Sequence, residues 1–236
     1  MAGSLRGALV LGGLLAVGLV WGGSYIEGAA EVWQQAGRSV TVKGLAEREV
    51  KADLALWPLH YTVNANDLAD LQSAMARDEK TIRDFLAGQG FDPASVSVAP
   101  PQVVDQYANL YGNQRPDERY RGEATVLLRT PRVDAVKTAM PLTGELVKAG
   151  VLLSPNFDYR TEFLFTGLEA IKPDMIAAAT ADARRAAQQF AEDSGSRVGP
   201  IQRATQGYFS IEDLDSYTPD VKKVRVVTTI DYQLLD

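Results

Sequence analysis

Few side chains in this sequence carry chemistry of their own. His60 is the single histidine among 236 residues, and imidazole titrates nearest neutrality of all side chains. It could act as a general base. It stands on an alternating strand pattern, however, where a histidine is expected on the surface or packed against neighbours. Glu47 and Glu49 lie two apart, hence on one face of a strand, with Arg48 on the other. Such a pair could supply half of a metal or acid–base site, but solvation, or pairing with Lys43 or Lys51, is the simpler expectation. Glu212, Asp213 and Asp215 lack the spacing, glycine and later glutamate of a calcium loop. They read as an exposed hairpin tip.

There is no cysteine, which removes thiol nucleophiles, disulfides and cysteine metal sites together. A zinc site would have to rest almost wholly on carboxylates. No nucleophile elbow, phosphate-binding loop, dinucleotide fingerprint or H-E-x-x-H occurs. No catalytic residue, cofactor or metal is assigned, and the chain reads as non-enzymatic. The loop around Tyr107, Asn109 and Tyr111 has a composition suited to protein contact. A mobile loop explains it equally well.

The elements that must hold these residues begin with Gly7–Ile26, which contains no charged residue. Twenty helical residues at about 1.5 Å each span about 30 Å, the hydrocarbon thickness of a bilayer. Leu9, Leu11, Leu14, Leu15, Val17, Leu19, Val20 and Trp21 are its anchoring residues. Arg6 precedes the run, while Glu27 and Glu31 follow it. The bias places residues 1–6 in the cytoplasm and the remainder across the inner membrane, in the periplasm. A cleaved signal peptide is the rival, with Gly28-Ala29-Ala30 as its cleavage site. Residues 27–37 read as a linker.

The remaining body, 38–236, is long enough for one core or for two lobes, about 38–130 and 131–236. A net charge of −6 and a pI of about 5.0 argue against a nucleic-acid partner. Strands are expected at Ser39–Val50 and Leu54–Val63. Trp57, Leu59, Tyr61 and Val63 share one face of the second, and Pro58 marks a bulge or free edge. A helix capped by Asn66 or Asp67 runs to about Ala87, with Leu68, Leu71, Met75, Ile82, Phe85 and Leu86 as its apolar stripe and Asp78 near the rim. Gly88 and Gly90 stop it.

A strand over Ser95–Val104 then pairs with Tyr120–Thr130. Pro131 opens a helix that Pro141 kinks or splits and Gly150 ends. Phe157–Phe165 alternates as a half-buried strand. Pro173 starts an alanine-rich helix to about Asp193, stopped by Gly195. Strands at Arg197–Phe209, broken by Gly199-Pro200, and at Val221–Leu235 close the chain. The class is α+β: antiparallel hairpins with helices packed on one side.

Two stretches resemble one family. VTVKGLAEREVKADLALWPLHYTV, 40–63, is similar to the opening of the SIMPL-domain family. GLEAIKPDMIAAATADARRAAQQFAEDSGSRVG, 167–199, is similar to its closing alanine-rich helix. The resemblance extends over 38–236, and the membrane-anchored proteobacterial branch is the closest in pattern. It implies an exported protein, in a family some of whose members form ring-like homo-oligomers and others of which are associated with envelope stress. It brings no catalytic residues. The expected function is a membrane-anchored, homo-oligomeric envelope scaffold or interaction protein, with the bilayer and other envelope proteins as partners. A ligand-binding or stress-sensing module is the alternative, and a carboxylate hydrolase a distant third.

Overall fold

The structure, a computed structural model, describes residues 38–108, 116–154 and 159–236. Strand β2, Leu54–Ala65, alternates in burial as far as Leu59 and is buried on both faces from Leu59 to Val63. Trp57, Leu59, Tyr61 and Val63 are all buried, as their spacing predicts. Its antiparallel partner β5, Tyr120–Thr130, matches it residue for residue, with Pro58 opposite Leu127 and His60 opposite Thr125.

No bulge interrupts the pairing at Pro58. On the other side of β2, β6 (Glu162–Leu164) covers only Leu54–Leu56, and the next bridge joins Tyr61 to Leu153. The Thr62 N–H donates to the Leu152 carbonyl, and the His60 carbonyl accepts from the Ser154 N–H. Even-numbered residues therefore face that side. Pro58 sits in the gap, where a missing donor leaves no ladder bond unmade.

The expected strand over Ser95–Val104 is two short edge strands, β3 (Val96–Val98) and β4 (Gln102–Asp105), both on β5. Pro100 and Pro101 account for the break, since neither can donate to a ladder. Helix α1, Leu68–Gly88, is capped by Asp67, whose carboxylate accepts from the Ala69 N–H at 2.7 Å. Its buried residues are Leu71, Met75, Asp78, Ile82 and Leu86. Two stripe assignments are corrected: Leu68 is 52% exposed, and Asp78 is buried at 5%. Gly90 alone of the two expected stops has positive φ, at 79°.

The Pro131–Ala149 helix is split as expected. α2 (Val133–Ala139) is followed by a 3-10 turn, Met140–Thr143, and by α3 (Gly144–Lys148). It starts two residues later than predicted, because Arg132 is the cap. Of the expected Phe157–Phe165 strand, only β6 is regular; 155–158 lie outside the described residues.

Helix α4, Leu168–Asp193, begins five residues before Pro173, which lies inside it. Pro173 carries no N–H to donate back to the preceding turn, and it sits within the first two turns of the helix. Ala179, Ala183, Ala187 and Ala191 form its buried stripe. β1 (Ser39–Lys51), β9 (Val221–Leu235) and β7 (Arg197–Gln206) form a second sheet in that order, with β8 (Ser210–Asp213) also on β9. Register shifts around Ile201 mark the expected break after Gly199-Pro200.

The chain divides into two compact units. Among the described residues, one comprises 38–47, 172–210 and 225–236; the other falls within 48–171 and 211–224. The units are thus interleaved, not separated by one cut near residue 130. In the first, Val42, Ile230 and Tyr232 pack on Ala183 and Ala187. Gly44 permits this closeness, since a Cβ there would overlap the Ala179 carbonyl oxygen. In the second, a larger core gathers Trp57, Tyr61, Ile82, Leu86, Val126 and Leu128. The architecture is mixed α+β with antiparallel sheets. No helix among the described residues is long and apolar enough to cross a membrane. The anchor assigned to residues 7–26 and the linker 27–37 lie outside the described residues.

Candidate functional site

An apolar concavity of the larger unit lies along the first half of α1. Leu68, Leu71, Gln72, Met75, Ala76 and Glu79 form one wall, Val98, Pro101 and Val103 the other, and Tyr61 and Ala124 the floor. Its volume is about 390 Å³, within the range of small-ligand sites.

Local sequence explains the groove. The Ala99-Pro100-Pro101 break keeps β3 and β4 short, so the edge beyond β5 is thin. Gly122 in β5 lets the Met75 thioether lie on the sheet, where a Cβ would overlap its sulfur. The Tyr61 hydroxyl donates to the Met75 carbonyl at 3.2 Å and fixes the floor. Leu68 and Val103 stand half exposed at the mouth, at 52% and 50%. Burying such side chains is favourable by about 1.5–3 kcal/mol each.

The polar groups of the groove are few. The Glu79 carboxylate accepts from Arg83 at 2.8 Å, an i,i+4 pair. Asp78, buried beside it, lies 3.3 Å from Arg77. Burial first, then the negative charges of Glu79 and Asp78, push the Tyr61 hydroxyl up to about 12.

His60 is on the opposite face of β2. Its Nδ1 is 2.9 Å from the Thr125 hydroxyl, its Nε2 is 3.7 Å from the Glu123 carboxylate, and the Tyr159 ring stacks on it at 3.8 Å and 9°. Only 7% of the residue is exposed. Burial lowers its pKa from the ordinary 6.5; Glu123 opposes that, and Arg121 adds to it. The imidazole is enclosed and packed, with Tyr159 across one face, as a structural histidine would be.

The acidic candidates do not converge. Glu47 and Glu49 are exposed. Glu47 lies 3.5 Å from Arg225, not against Lys43 or Lys51, and Lys51 is 4.0 Å from Asp134. Asp213 pairs with Lys222. Asp215 caps its own turn, accepting from the Tyr217 and Thr218 N–H groups at 2.7 and 2.8 Å. No cluster of three potential metal ligands occurs among the described residues.

Tyr107 is half-buried at the base of its loop. Its N–H donates to Asp105 at 2.9 Å, its hydroxyl donates to the Pro116 carbonyl at 3.3 Å, and the Arg119 guanidinium lies 6.0 Å from its ring. Asn109 and Tyr111 lie outside the described residues, as do the anchor residues from Leu9 to Trp21. The groove is the feature that sequence reasoning missed. Its signals were an apolar Leu68 at the very start of a helix and the adjacent pair Val103-Val104.

The SIMPL family model, described as a protein of unknown function (DUF541), matches residues 40–228. The chain belongs to that family. No curated protein matches it.

Proposed function

For a SIMPL-family chain of this shape, we propose a non-catalytic binding module of the cell envelope that holds a small apolar ligand in the groove along α1. Residues 7–26 tether it to the inner membrane, with the body in the periplasm. One observation carries the reading: a preformed concavity of about 390 Å³ walled by Leu68, Leu71, Met75 and Val103, with Gln72 and Glu79 as its polar side chains besides the Tyr61 hydroxyl.

The test uses the full chain in zwitterionic nanodiscs with methyl-labelled methionine. The chain has four methionines, and Met75 alone lines the groove. Titration with n-decanol shifts the Met75 methyl resonance saturably and leaves Met140 and Met175 unmoved. Ala76→Phe, which fills the exposed end of the wall, abolishes the shift. A Met75 resonance indifferent to decanol overturns the reading.

A homo-oligomeric scaffold is the second reading, and β7 favours it. Among the described residues this strand pairs only with β9, and Ile201–Gln206 is exposed on both faces. Long free edges of this kind pair readily with another strand. Mass photometry of the detergent-solubilised chain gives a multimer that Ile201→Lys reduces to monomer. A strict monomer at high concentration in the parent chain defeats this reading.

A further inference from the structure

The groove has one sign of charge. Among the described side chains that line it there is no Lys, Arg or His, and Glu79 is the one carboxylate. Arg83 neutralises part of that charge at 2.8 Å but does not line the groove. Asp78, paired to Arg77, adds a second carboxylate behind the wall. The Gln72 side-chain amide, which can accept or donate, lines the same space.

A ligand that lays its chain on Leu71, Met75 and Val103 therefore meets acceptors and negative charge at its head. A carboxylate head meets no cation there. Like charge in a partly desolvated site is unfavourable, and opposite charge favourable, by more than in bulk water. Burial is the main cause of the raised Tyr61 hydroxyl at the floor, and the charges of Glu79 and Asp78 add to it.

We infer that the groove is selective for apolar molecules with a cationic, hydrogen-bond-donating head, that is, hydrophobic amines, and discriminates against fatty-acid anions. This rests on the groove being a ligand site, as proposed above.

The experiment compares n-decylamine, n-decanol and n-decanoate at neutral pH, where the first is cationic and the last anionic. Each is titrated into the full chain in zwitterionic nanodiscs. Free ligand is measured directly, and occupancy is read at the Met75 methyl. The amine saturates the site at a free concentration about tenfold below that of decanoate, with decanol between. Glu79→Gln brings amine and acid to within about twofold, and Met140 and Met175 methyl resonances unchanged from the parent show the variant to be folded. Equal affinities in the parent chain, or tighter binding of decanoate, overturn the charge selectivity while the decanol response preserves the groove as a site. If none of the three moves Met75, both the inference and the reading beneath it fall.

Discussion

Gly44→Ala is the sharpest perturbation of the β1–α4 contact. A Cβ on residue 44 would overlap the Ala179 carbonyl oxygen, approach the Ala183 nitrogen to 2.5 Å and the Ala183 Cβ to 2.8 Å. Carbon atoms of this kind keep at least 3.0 Å from their neighbours. The helix must therefore retreat by half an ångström or more along the line to Ala183, and further from Ala179. Two of the three obstructing atoms are backbone, so no rotamer change relieves them. A gap of about 0.5–1 Å forfeits a quarter to a half of each dispersion contact, and overpacking in cores typically costs about 1–3 kcal/mol. The rigid obstruction puts this substitution at the upper end, about 3 kcal/mol. For a chain of this size that lowers Tm by roughly 6–12 °C. Chemical denaturation of the full chain measures it, with Gly88→Ala as the control, since nothing lies within 4 Å of that position. Ala183→Gly does not rescue Gly44→Ala, because the Ala179 carbonyl remains. A loss below about 1 kcal/mol, or rescue by Ala183→Gly, would refute the close helix–strand approach.

Two further substitutions test other parts of the fold. His60 has a lowered pKa in the folded chain, with burial as the main cause. On acidification the unfolded chain takes up the proton first, so the stability linked to neutral His60 is full above the ordinary 6.5 and is lost as pH falls through the lowered folded value. Denaturation midpoints measured from neutral to mildly acidic pH should fall more steeply in the parent than in His60→Gln; parallel slopes would contradict the buried, neutral imidazole. Asp53 accepts from the Thr166 N–H at 2.9 Å, the Thr166 hydroxyl at 3.0 Å and the Gly167 N–H at 3.0 Å, just before α4 begins. Asp53→Ala should destabilise by about 1–3 kcal/mol at unchanged denaturant slope, with Asp53→Asn recovering part of the loss; a neutral alanine variant would show that these bonds are replaced by water.

Element order was legible where local chemistry is decisive. Alternation on Trp57–Val63 and on Val224–Tyr232 marks strands because successive side chains point to opposite faces, with β9 half-buried and β2 buried on both faces from Leu59 to Val63, and Pro141 splits its helix because it lacks an N–H. Pairing was not legible. β1 and β2 are consecutive, yet they belong to different sheets, with β1 on β9 nearly two hundred residues on; nothing within 39–65 encodes that choice. Local rules also misled where tertiary packing overrode them. Pro173 suggested a helix start, but α4 begins five residues earlier, at Leu168, and takes the proline into its second turn. The groove illustrates the same limit. Leu68 has the right spacing for the apolar stripe of α1, so periodicity assigns it to the core. Whether it is covered depends on how far the sheet extends beneath it, and the break at Pro100-Pro101 shortens that side to the two small strands on β5. The helix carries one more turn of apolar surface than the sheet can cover, and β4 carries Val103 with no helix above it. Each half looks like an ordinary core residue in sequence; only their apposition across the thinned edge turns them into the walls of a site.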